Sequence, residues 1–64
     1  MSIHREGDHV DVLDDGEWHS ALVTRLDRDT LALEVMVIEG AREGHVLEGL
    51  AQDDERLRPH VPPS

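Results

Sequence analysis

Five histidines, His4, His9, His19, His45 and His60, are the residues of this chain best suited to hold a metal or move a proton. Imidazole titrates near neutral pH and is the commonest protein ligand for transition metals. The spacing argues against such a site. No two histidines stand four apart on one helix face, and the chain has no cysteine to complete a ligand set. Only His9 and His45 are expected to approach each other, if the first and fourth strands bracket the sheet, and isolated strand histidines are more often simply solvated. Covalent catalysis has no better footing, because no serine nucleophile stands with a placed base and no glycine-rich phosphate loop is present. We therefore expect no enzyme, no cofactor and no metal.

The second group that could do work is acidic. Asp11, Asp14, Asp15 and Glu17 cluster around a first turn, Glu39, Glu43 and Glu48 around a later loop, and Asp53-Asp54-Glu55 precede the last apolar residues. Such groups either steer a basic partner or only keep a surface soluble. With 15 acidic against 6 basic residues, all of the latter arginine, the formal charge is -9. A field of that sign repels phosphate backbones, so direct nucleic-acid binding is disfavoured.

The elements that must position these groups are strands. Sixty-four residues make one domain near the lower size limit for independent folding, and with no cysteine no disulfide can help. Residues 1–6 read as a flexible arm. Gly7-Asp8 breaks the chain before His9-Val10-Asp11-Val12-Leu13, where Val10 and Val12 share one face of a short strand. Asp14-Asp15-Gly16 is a hairpin signal. The second strand points Ala21 and Val23 inward, with His19 and Arg25 on that side nearer its ends. Trp18 is out of phase with Ala21, which predicts a bulge there, the indole lying half exposed across one end. As the sole aromatic residue it is expected to plug the core, the competing role being a binding anchor.

After the polar turn Asp27-Arg28-Asp29-Thr30, a third strand spans residues 31–38 with Leu33, Val35 and Val37 on one face. Its other face, Ala32, Met36 and Ile38, is also largely apolar, and with Leu13 and Leu22 it forms an outer patch of the kind that marks association surfaces. Gly40 to Gly44 is a loop. His45 to Leu50 reads as a fourth strand with Val46 and Leu50 as core candidates, residues 51–56 as a single 3₁₀ turn, and Leu57-Arg58 as a closing strand stopped by Pro59. Residues 60–64 read as a tail. The start of the chain is polar and no apolar run approaches membrane-spanning length, so a cytoplasmic location is expected.

Gly7-Asp8-x-Val10-x-Val12, Asp15-Gly16-x-Trp18-x-x-Ala21-x-Val23, Val35-x-Val37 and Asp54-x-x-Leu57-Arg58-Pro59 together resemble the Tudor group of SH3-like barrels, with the related Agenet and chromo-barrel modules, over residues 7–59. The resemblance implies a five-stranded barrel whose functional rim joins the loops between strands one and two and between strands three and four. It also implies methyl-lysine or methyl-arginine reading through an aromatic cage. The cage positions fall at Asp14, His19, Ile38 and Ala41, none aromatic, and the chain has no Phe or Tyr to replace them. A cage of cation-attracting ring faces cannot be assembled.

The sequence thus predicts an all-β, five-stranded SH3-like barrel that binds a protein partner, one of basic character or a second copy of itself. The expected binding residues are Asp14, Asp15, Glu17, Trp18, His19, Met36, Ile38, Glu39, Ala41 and Glu43. The alternative is a transcription- or translation-associated factor that docks on RNA polymerase or the ribosome, or an acidic mimic of DNA.

Overall fold

In the computed structural model, which describes residues 3–61, the chain turns at Asp15-Gly16 with φ of 54° and 77°. Positive φ at both central residues is the two-residue hairpin turn whose twist matches that of the flanking strands. It joins β1 (His9–Asp14) to β2 (Glu17–Leu26) in a register that runs unbroken from Asp14↔Glu17 to His9↔Leu22. Upstream, the break at Gly7 is used to start this sheet: the Gly7 N–H donates to the Val23 carbonyl at 2.8 Å, and the Val23 N–H to the Asp8 carbonyl at 3.0 Å.

The turn after β2 is held by Asp27. Its Oδ1 accepts the N–H groups of Asp29 (2.8 Å) and Thr30 (3.3 Å), while its carbonyl accepts Leu31 N–H (2.7 Å). Leu31 takes a φ of 64° and so belongs to the turn, which is why β3 (Leu33–Val37) is shorter than the apolar run suggested. β4 (Val46–Leu50) and β5 (Leu57–Pro59) complete one antiparallel sheet in the order β4-β3-β2-β1-β5, and no helix forms among the described residues. Residues 51–56, expected as a 3₁₀ turn, instead make two separate turns closed by Asp54 N–H to Ala51 O (3.1 Å) and Leu57 N–H to Asp54 O (2.9 Å). Asp54 spends its carboxylate on the N–H and guanidinium of Arg56, which ties down the second turn.

One face of this sheet forms the core. Val10, Val12, Ala21, Val23, Leu33, Val35, Val37, Leu50 and Leu57 are 0 to 8 % exposed, with Leu26 and Leu47 packed against them. All five strands contribute, and no second layer exists among the described residues, so the sheet must curl around its own inner face. The curl stops short of closure: β4 and β5 lie at the two ends of the strand order with no ladder between them. This departs from the closed barrel expected above. β5 has three residues and ends at Pro59, which has no N–H to offer a further ladder.

Two bulges produce the bend. Between Val23 and Arg25 the β2–β3 register shifts, and between Leu33 and Val35 the β3–β4 register shifts, so Glu34 faces an extra residue on both sides. A bulge bends its strand and increases the local twist. The expected bulge at Trp18 does not exist, because the β1–β2 ladder is continuous there.

The arm is described from Ile3. His4 donates its N–H to Gln52 Oε1 (2.7 Å), and its carbonyl accepts Gln52 Nε2 (3.0 Å), so Gln52 substitutes for a strand partner. Residues 1, 2 and 62–64 of the expected arm and tail lie outside the described residues.

Candidate interaction surface

The outer face of the sheet follows from register. Strand partners point to the same side, so Leu13 and Trp18, then Leu22, Met36 and Val46, stand together on the face opposite the core. Ile38, whose N–H donates to Ser20 O at 2.9 Å, continues β3 on the same side. Leu13, Leu22, Met36 and Ile38 are half-buried, while Trp18 is 39 % and Val46 44 % exposed. Trp18 therefore does not plug the core. Its phase with Leu13 carries it outward, and the guanidinium of Arg58 covers its ring at 3.9 Å from the centroid.

Val46 is corrected in the same way. It partners Met36 on the outer face, and Leu47 takes the inward place, because the bulge before Leu50 inverts the alternation within β4. Gly49, at φ +71°, supplies that bulge. On β2 the bulge takes Arg25 out of the inward row and opposite Glu34, leaving Leu26 to face Leu33. Ala32 lies before β3 and lines a cleft beside Glu34.

The rim joins the two loops that the sequence singled out. Asp14, at the end of β1, accepts Arg42 Nε (3.0 Å) and Nη2 (2.8 Å) from the β3–β4 loop, and His45 Nε2 lies 3.7 Å from the same oxygen. The Asp14 side chain is 14 % exposed and already occupied. His19 is half-buried beside it, with Nε2 at 3.3 Å from the Asp14 carbonyl. Asp15, Glu17, Glu39, Ala41 and Glu43 are exposed, and no ion pair engages these four carboxylates among the described residues. At this rim Asp14 thus forms an ion pair with Arg42, and the imidazole of His19 stands beside it.

Asp11 leaves the rim group. It sits on the outer face, where its Oδ1 meets His60 Nδ1 at 2.8 Å and its Oδ2 meets Arg58 Nε at 3.4 Å. His60 also stacks on His9, ring centroids 3.7 Å apart and 10° from parallel. The approach of His9 to His45 that strand order suggested is replaced by this one, because β5 and not β4 is the neighbour of β1. No cluster of three or more His, Cys, Asp or Glu side chains arranged to hold a metal occurs among the described residues.

Sequence reasoning missed Arg58, Arg42 and His60 as members of this surface. The signal for Arg58 was its strand parity with Asp11 once β5 pairs with β1; Arg42 and His60 lie in loop and tail, where no periodicity reports direction.

Clefts on the described residues include two near these elements. One of about 240 Å³ is set around Glu34, and one of about 370 Å³ lies between the arm and β1, lined by Ile3, His4, Asp8, His9 and Pro59. No helix among the described residues is long and apolar enough to cross a membrane. No family model, no curated protein and no solved structure matches this chain.

Proposed function

We propose that this chain is a non-enzymatic protein-interaction module that grips a partner with the outer face of β1, β2 and β3 and orients it with the acidic rim. The observation that carries the reading is Trp18, placed on the outer face under Arg58, opposite Leu13 and on the same side of the sheet as the row Leu22, Met36 and Val46. A tryptophan and an arginine next to an apolar row are the residue types that dominate binding energy at protein interfaces. In a chain this small, leaving its sole aromatic ring outside the core forgoes burial that the fold could use.

The fold we infer is a Tudor-type, SH3-like arrangement that curls without closing. The order β5-β1-β2-β3-β4 and the pairing of the two rim loops through Asp14 and Arg42 support it. Methyl-mark reading does not follow, because Asp14, His19, Ile38 and Ala41 provide no ring faces.

Capture from native lysate on the immobilised chain tests the reading, with Trp18→Ala and Met36→Glu as controls. A partner should be retained at high salt by the original chain and lost by both variants. A chain that retains nothing and sediments as a monomer at millimolar concentration would sink the proposal. The second reading, a factor docking on the transcription or translation machinery, is favoured by the unpaired carboxylates of Asp15, Glu17, Glu39 and Glu43. It predicts a partner released steeply as salt rises, with little effect of Met36→Glu.

A further inference from the structure

Glu34 is the only β3 residue that faces a bulge on each neighbouring strand. A cleft of about 240 Å³ lies at this point between the bulges. It is lined by Ala32, Leu33 and Gly49, by the acidic residues Asp27, Glu34 and Glu48, and by Arg25, which stands opposite Glu34 in the β2–β3 ladder; Asp27 Oδ1 already accepts the N–H groups of Asp29 and Thr30. Leu33 belongs to the core and is 1 % exposed. Glu34 Oε2 accepts the Thr24 hydroxyl at 2.9 Å, and none of the three carboxylates takes part in an ion pair among the described residues. Three negative groups against one positive leave the cleft acidic. It is smaller than the roughly 300 to 1,000 Å³ of small-molecule sites.

Resting on the interaction reading above, we propose that this cleft takes one basic side chain, arginine or lysine, of the protein partner, and that the adjoining apolar row takes a hydrophobic residue next to it. Glu34 and Met36 are two positions apart on β3, which sets the two contacts about 6.6 Å apart. That distance is spanned by residues i and i+2 of an extended segment. The apolar lining suits the methylene stem of a long cationic side chain and the carboxylates suit its head. A second copy of this chain is a poor occupant, because each copy brings a charge of -9.

The test is a titration of the isotopically labelled chain with N-acetyl-leucyl-alanyl-arginine amide, followed by amide correlation spectra and the Met36 methyl signal. The control peptide carries citrulline, which keeps the shape of arginine without its charge. The arginine peptide should move the amides of Glu34, Glu48 and Gly49 and bind about two- to fivefold more tightly than the citrulline peptide. The double variant Glu34→Gln with Glu48→Gln, isosteric and at the surface, should abolish that difference. Equal binding of the two peptides, or shifts centred on Asp53 to Glu55, would overturn the cleft. If the Met36 methyl responds to both peptides while the cleft amides stay still, the cleft assignment falls and the interaction surface stands. Silence at both places ends the cleft proposal, while lysate capture decides the surface independently.

Discussion

Asp27 shows how one carboxylate organises a turn. Its acidity is increased chiefly by the N–H of Asp29, then by that of Thr30; slight desolvation opposes them, and the charge of Arg25 adds the smallest contribution. Asp54 is likewise held below the usual carboxylate range by the Arg56 guanidinium and N–H. A carboxyl whose folded value is depressed adds stability above its unfolded value, near 3.9, and that stability disappears as pH falls through the folded value. We predict that melting temperature drops faster below about pH 4 for the original chain than for Asp27→Asn, which keeps the acceptor but cannot titrate. Calorimetry at a series of acid pH values checks this; parallel curves would show that the Asp27 charge adds nothing. Trp18 is the other residue whose environment decides its role. Being outside the core, Trp18→Ala should cost less than about 1 kcal/mol in urea unfolding, the range of an exposed cation–π contact. A loss of about 3 kcal/mol or more, typical of a core aromatic, would return the ring to the interior.

At the scale of elements, local chemistry made much of the fold legible. Asp15-Gly16 announced the hairpin, and the alternation of Val10 with Val12 and of Leu33, Val35 and Val37 announced their inward faces. Gly16 sits at φ 77°, with open space where a Cβ would project, so the cost of Gly16→Ala is backbone strain alone. We expect about 1 to 2 kcal/mol, read as a shifted denaturation midpoint with an unchanged slope. The candidate surface was half legible: Leu13, Leu22, Met36 and Ile38 followed from period two, whereas Val46 and Arg25 did not. Their directions depend on the bulges beside Glu34, and a bulge is a property of two paired strands, invisible in either one.

For the whole molecule the balance is thin. At roughly 0.05 to 0.15 kcal/mol per residue, 64 residues are stabilised by about 3 to 10 kcal/mol. Leu50 is fully buried at the edge of the sheet, and Leu50→Ala should cost about 2 to 5 kcal/mol, enough to populate the unfolded state at ambient temperature. Circular dichroism melting would show it, and a variant as stable as the original would mean that β4 is not part of the cooperative core. The charge of -9 on a body with a radius of gyration of 10.9 Å also works against compaction. Melting temperature should therefore rise as sodium chloride screens the self-repulsion, and a fall would show that pairs such as Asp14–Arg42 outweigh it.

What the sequence by itself determined is local: five strands, their turns and the inward rows of β1 and β3, because side-chain alternation and turn stereochemistry act within a few residues. What only the tertiary structure decided is relational. The outward stance of Trp18, the inversion at Val46, the cleft at Glu34 and the unsealed edges at β4 and β5 all arise from how one strand is registered against the next. A single extra residue reverses every side chain beyond it, and that residue is placed by its neighbours.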